Sequence, residues 1–230
     1  MQNAVVSHED WLAARRDLLQ KEKELTHLRD SIASERLALP WERIEKDYVF
    51  DTLDGPRSLA GLFEGRSQLV VQHFMFAPGW KEGCPSCSFM ADHTDGMNQH
   101  LANHDVTMIA VSRAPLADIE RYRKRMGWTF RWVSSFGSDF NYDFRVSFTP
   151  EEVASGHIDY NFGGWNMTGE EWPGVSAFIK NEAGKVFRTY STYGRGVEVM
   201  MGTYAMLDLT PKGRNEARGM DWVRRHDRYE

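Results

Sequence analysis

Cys84 and Cys87 are the two cysteines of this 230-residue chain, three positions apart in the stretch GCPSCSFMADH. Two thiols so spaced can exchange electrons with a disulfide, or they can hold a metal ion. The thiolate is the reactive form, and free cysteine has a pKa of about 8.5. Cys84 comes just after an apolar run, QLVVQHFMF, and stands where a helix would start. The amides and dipole of a helix start favour negative charge, which draws Cys84 toward a thiolate near neutral pH. Pro85 suits the first helical turn, whose amide lacks a partner in any case. Cys87 lies one turn on, within disulfide reach. Cys84 is therefore the candidate attacking thiol and Cys87 the candidate resolving thiol.

The same cysteines open two competing patterns. Twelve residues separate Cys87 from His100, and three more separate His100 from His104. That is the spacing of a two-Cys, two-His zinc finger. Ala91 and Met97, however, stand where such a finger needs its aromatic and leucine, and the net charge of −5 gives no pull toward nucleic acid. His93 and His73 are weaker candidate ligands, and their ordinary reading is a solvated or core position. In the second pattern, peroxiredoxins carry a proline and a Thr or Ser at fixed distances before the reactive cysteine. Here Ala77 and Lys81 hold those places and Pro78 is one position off. The hydroxyl that would orient a peroxide is missing.

The surrounding elements must hold these thiols in place. Ser7 is a candidate cap for a long first helix, with Asp10 three positions on in a capping-box arrangement. Trp11, Leu18, Leu25 and Ile32 recur every seven residues on it, with Leu28 on the same side. This single apolar stripe either packs on its own domain or forms a dimer seam. Pro40 closes the helix. DYVFDTLDGPRSLAGLF reads as a short hairpin turning at Asp54-Gly55, then a stub helix. QLVVQHFMF suits a central strand covered on both faces. A helix is predicted from about Ser86 to Asn103. VTMIAVS is a second buried strand, PLADIERYRKRMGW a helix and FRWVSS a third strand. GVSAFIKNEAGKVFRTYS is a hairpin turning at Asn181 to Gly184, and a helix from about Gly196 to Leu207 follows.

Alternating strands and helices imply an α/β layer fold with a largely parallel sheet, the late hairpin adding antiparallel strands to its edge. CxxC beside such a pattern points to thioredoxin-like redox chemistry. Pro173, in EWPGVSAF, precedes the hairpin, where thioredoxin-like folds place a cis-proline facing the CxxC. It is expected to be cis and to shape a substrate groove, with Trp80 lining the rim. Residues 137–172 interrupt the pattern with Phe140, Tyr142, Phe144, Tyr160, Phe162 and Trp165. They form either an aromatic cleft over the thiols or a second small core. Arg195, in STYGRG, is a candidate site for an anion such as a glutathione carboxylate, or part of a capped loop.

FAPGWKEGCPSCSFMADH, AVSRAPLADIERYRKRMGW, SSFGSDFNYDF, PGVSAF, TYSTYGRG and LDLTPKGRNE together resemble the domain-of-unknown-function 899 family. Its members are described as thioredoxin-like, predicted dithiol–disulfide oxidoreductases. The likeness spans about residues 8–216. It implies a thioredoxin-like fold and a redox-active pair at Cys84 and Cys87; the reading of the pair as a dithiol needs no organic cofactor and no metal. Unlike thioredoxin, this chain has Pro-Ser between its cysteines and places Trp80 four residues before Cys84.

The expected organisation is a helical extension over 1–40, a thioredoxin-like domain over 41–216 with the 137–172 insertion, and a polar, peripheral tail over 217–230. With 41% hydrophobic residues the chain can bury a sizeable core. It has no run of eighteen apolar residues and no secretory pattern at its start, so a cytoplasmic protein is expected. Its partners would be a protein or small-molecule disulfide and a separate reductant, without nucleic acid or membrane.

Overall fold

The computed structural model describes residues 3–166 and 168–230. The chain divides into a unit ending at Pro40 and one beginning at Trp41. The first is the helix α1 (His8–Leu37). Its cap differs slightly from a capping box. The Ser7 hydroxyl accepts the Asp10 amide at 3.1 Å, while the Asp10 carboxylate accepts the Ser7 hydroxyl rather than the Ser7 amide. None of its residues is buried, and Trp11, Leu18, Leu25, Leu28 and Ile32 are all exposed.

The second unit starts with β1 (Glu42–Arg43), then the hairpin β2 (Val49–Phe50) and β3 (Arg57–Ser58), turning through Gly55 at φ 95°. A 3-10 turn follows at Leu59–Phe63. β4 (Gln68–His73) leads to α2 (Pro85–Ala91), α3 (Thr94–Asn103), β5 (Val106–Ser112), α4 (Leu116–Arg125) and β6 (Arg131–Ser134). The aromatic-rich segment contains α5 (Phe140–Asp143), α6 (Pro150–Ala154), β7 (Ile158–Tyr160) and β8 (Gly163–Trp165). Then come β9 (Gly174–Lys180), β10 (Val186–Tyr193), a 3-10 helix at Gly194–Met200 and α7 (Gly202–Leu207). The predicted helix from Ser86 to Asn103 is thus two helices. They break at His93, whose ring bonds the Phe89 carbonyl and receives the Thr203 amide.

Six strands form one mixed sheet in the order β1-β10-β9-β4-β5-β6. β4 runs parallel to β5, and β5 to β6. β9 lies antiparallel on the other side of β4, pairing Val71 with Ser176, and β10 continues the hairpin outward. This arrangement, with the strand before the CxxC at the centre of the sheet, parallel strands on one side of it and the antiparallel hairpin on the other, is the one expected from the sequence for a thioredoxin-like fold. β4 is apolar on both sides because each side faces a core. Leu69 and Val71 join one core with Ile109, Phe140, Phe144 and Phe148, while Val70 faces the other with Phe89 and Met90.

The aromatic-rich segment and the tail both pack against the sheet's cores. Most aromatics of 137–172 fill the first core, with Phe140 and Tyr160 fully buried, while Phe162 stays exposed. The tail is not peripheral, which corrects the sequence reading. Val223 is buried with Phe89, Met201 and Tyr204, and Trp222 packs against them. Among the described residues no helix is long and apolar enough to cross a membrane.

Candidate active site

The loop after β4 carries the chain to Cys84, whose amide donates to the Met75 carbonyl at 3.0 Å. Gly83 is required by space. A Cβ there would stand 2.6 Å from Phe74 Cε1 and 2.9 Å from Tyr122 Cε1, both ring atoms of buried side chains. Cys84 then caps α2, with Pro85 in the first turn and Cys87 buried one turn on.

The two thiols are electrostatically unlike. The Cys87 thiol beside it, acting as a hydrogen-bond donor, is the largest influence favouring a thiolate on Cys84, and the Cys87 and Ser86 amides at the start of α2 favour it too. With the nearby Arg225 charge, these outweigh burial and lower Cys84 to about 7. Giving that hydrogen bond, together with full burial, pushes Cys87 well above the ordinary thiol range. At neutral pH the pair can therefore present one thiolate, partly buried, backed by one protonated thiol.

A chain of donors holds the backbone around Cys84. Arg225 Nη2 donates to the Gly83 carbonyl at 2.6 Å, and its Nε to the Tyr122 hydroxyl at 3.0 Å. Tyr122 and Ser88 hydroxyls lie 2.9 Å apart, and Ser88 donates to the Cys84 carbonyl at 2.8 Å. Glu82 completes the clamp, 2.9 Å from Arg225 Nη1. The sequence reading missed Arg225 altogether. The signal for it was the apolar pair Trp222-Val223 inside an otherwise charged tail.

Cys84, Ser86 and Cys87 open onto a cavity of about 850 Å³. The aromatic segment contributes Tyr160, Trp165 and Trp172 to its lining. Tyr160 also fastens two walls together, its hydroxyl donating to the Pro173 carbonyl at 2.7 Å and accepting the Gly194 amide at 2.8 Å. Pro173 lines the cavity, but its peptide bond is trans, contrary to expectation; no cis bond occurs among the described residues. Trp80 lies outside the cavity lining. Its indole donates to Glu170 at 2.9 Å and its ring packs partly on the core beside α4. Arg195 does line the cavity, already paired with Glu198 at 2.7 Å.

The structure does not gather the zinc-finger ligands. His100 and His104 are exposed at the end of α3, Cys87 is buried, and among the described residues no three His, Cys, Asp or Glu side chains are placed to hold a metal ion. His93 is occupied by Phe89 and Thr203. His73 is a core residue between Phe140 and Phe144, bonded through Nε2 to Ser176 at 2.8 Å, and burial lowers it to about 3. Ala77 is buried and carries no hydroxyl, so the peroxidase pattern gains nothing from the fold.

A second buried ionisable group, also missed, is Glu171. Arg113 Nε donates to it at 2.6 Å and Ser147 Oγ at 3.0 Å, yet burial raises its carboxyl to about 7.

No curated protein matches the chain. Solved structures similar to it include peroxidoxin BcpB from Mycobacterium tuberculosis, at 13% identity and a TM-score of 0.48, over 72% of this chain and 95% of that one. A PrxQ mutant from Xylella fastidiosa is similar at 12% identity and 0.46, over 72% and 94%. A candidate thiol:disulfide interchange protein DsbE from Chlorobium tepidum is similar at 12% and 0.43, over 72% and 97%. In sequence, residues 1–229 match the family described as bacterial protein of unknown function (DUF899), and the chain belongs to that family.

Proposed function

We propose that this protein is a thiol–disulfide oxidoreductase. The reading rests on one observation: two thiols one helical turn apart, Cys84 partly buried at the start of α2 and Cys87 buried behind it, both lining one cavity, in surroundings that favour a thiolate on the first and a proton on the second. The Cys84 thiolate attacks one sulfur of a disulfide, and the other sulfur leaves and takes a proton. Cys87 then gives up its proton and attacks Cys84 in the mixed disulfide, releasing the second substrate thiol. The product is a Cys84–Cys87 disulfide, two electrons having passed to the substrate. A separate dithiol reductant must restore the pair, and no organic cofactor takes part. Pro173 shapes the groove in its trans form. A cytoplasmic setting suits the reading, because reducing conditions keep such pairs catalytic rather than structural. The exposed heptad stripe of α1 supports a homodimer, which light scattering tests: a monomer at every concentration removes it.

Redox titration in thiol–disulfide buffers, read by mass and thiol count, tests the proposal. The expected result is a reversible two-electron couple, abolished in Cys84→Ser. A potential near the low end of the roughly −270 to −120 mV range would make the protein a reductase, and one near the high end an oxidant. Thiols that stay reduced across the whole range would defeat the reading.

A further inference from the structure

The cavity on which Cys84 opens has the size of a small-molecule site; such sites run about 300–1,000 Å³. Its walls come from widely separated parts of the chain. The α2 region supplies the thiols and Met90, the aromatic segment Trp165 and Trp172, the 3-10 helix Val197, and the tail Met220. An apolar body up to the size of one or two aromatic rings fits such a lining, with methionines that adapt their shape and indoles that stack.

The charged part of the lining is unequally satisfied. Glu198 pairs with Arg195 at 2.7 Å and with Arg214 at 3.2 Å. Arg214 also binds Asp208 and covers the Tyr204 ring. Glu216 accepts from the Tyr204 hydroxyl at 3.0 Å, the Met220 amide at 2.9 Å and the Trp222 indole at 3.1 Å. Arg218 is different. Its amide bonds Asp221, but its guanidinium forms no ion pair among the described residues, and it lines the same cavity. Apart from the thiols, the lining holds the guanidiniums of Arg195, Arg214 and Arg218 against the carboxylates of Glu198 and Glu216, and exposed Arg218 is the guanidinium that no carboxylate among the described residues holds, which favours an anion there, best of all a carboxylate.

We propose that the substrate is a low-molecular-weight disulfide with an apolar or aromatic arm and a carboxylate, the arm lying along Trp165 and the carboxylate at Arg218. The proposal rests on the thiol–disulfide reading and names its substrate class. The electron balance is unchanged: the small disulfide is reduced to two thiols as Cys84 and Cys87 become a disulfide, and an external dithiol reverses the change.

Two experiments separate the pocket from the chemistry. First, reduced protein is mixed in stopped flow with 5,5′-dithiobis(2-nitrobenzoate), which carries carboxylates, with 4,4′-dithiodipyridine, which does not, and with insulin. The dicarboxylate should react with saturation. Arg218→Glu should lower the dicarboxylate-to-dipyridine ratio of rate constants by about fivefold. Trp165→Ala should weaken apparent binding of both small disulfides by about tenfold. An unchanged ratio in Arg218→Glu, or insulin reacting faster than either small disulfide, would overturn the proposal. Second, calorimetry on the Cys84→Ser, Cys87→Ser variant measures binding of the dicarboxylate without reaction. Binding there that Arg218→Glu weakens, beside a wild type that reacts with no disulfide, would sustain the pocket and remove the oxidoreductase reading. Reaction in the wild type with no measurable binding would do the reverse.

Discussion

Arg225 Nη2 donates to the carbonyl of Gly83, the residue before the proposed nucleophile, at 2.6 Å across 142 positions of sequence. The last turns of the chain thus hold the peptide that aims Cys84. The same guanidinium reaches Glu82 and Tyr122, so it fixes both backbone and charge at this point.

Arg225→Ala should therefore destabilise the protein by about 2 kcal/mol, the scale of lost charge-assisted hydrogen bonds. It should also raise the midpoint of Cys84 alkylation against pH, because a positive charge near the thiolate is gone. Arg225→Lys should restore much of the midpoint but less of the stability, since an ammonium keeps the charge and loses the fork. Iodoacetamide kinetics and urea denaturation measure the two effects. A midpoint that stays put in Arg225→Ala would leave the tail a purely structural role.

Alkylation of the wild type should follow a single thiolate with a midpoint of about 7. The largest cause of that lowering is the hydrogen bond from Cys87, so Cys87→Ala should move the midpoint upward. Cys87 itself should stay unreactive through this range, held protonated by Cys84 and by burial. Mass mapping of the modified cysteine checks both statements, and modification of Cys87 first would contradict them.

Gly83→Ala places a methyl against the Phe74 and Tyr122 rings at 2.6 Å and 2.9 Å. Overpacking of this kind costs about 1–3 kcal/mol. The displaced loop should also slow Cys84 alkylation more than the loss of stability alone would. Thermal melts and alkylation rates of the folded variant test this, and wild-type values in both would show that the rings yield freely.

Glu171 holds its proton more tightly in the folded state, with its carboxyl raised from 4.5 to about 7 by burial. The stability this gives is full below 4.5 and is lost as pH rises through 7. Glu171→Gln cannot ionise, so it should gain on the wild type across that interval by on the order of 3 kcal/mol at pH 8. Groups common to both proteins cancel in the difference. Urea denaturation of the pair at pH 4.5, 6 and 8 provides the measurement; a difference that does not change with pH would place the carboxyl in its ordinary range.

Much of the sheet was legible because its signals are local. The β-rich apolar run at Gln68 to Phe76 and its neighbour at Val106 to Ser112 needed two covered faces, and both became central parallel strands. Asn181 and Gly184 announced the hairpin through turn chemistry, and Gly184 takes φ 76° there. Errors arose where a helix end depends on a distant partner. The break between α2 and α3 is fixed by Thr203 binding His93, which no periodicity contains.

For the site, the sequence by itself determined the pair of thiols, their order and the helix start that favours a thiolate on the first. These are properties of neighbours in the chain, where spacing translates directly into geometry. The tertiary structure alone decided what surrounds them. It separated His100 and His104 from the cysteines, made Pro173 trans, sent Trp80 to Glu170 and brought Arg225 to Gly83. It also built the cavity from segments more than a hundred residues apart, from Met75 to Met220. Contacts across such separations are set by how faces bury against one another, and a linear pattern specifies which face is apolar but not which face it will meet.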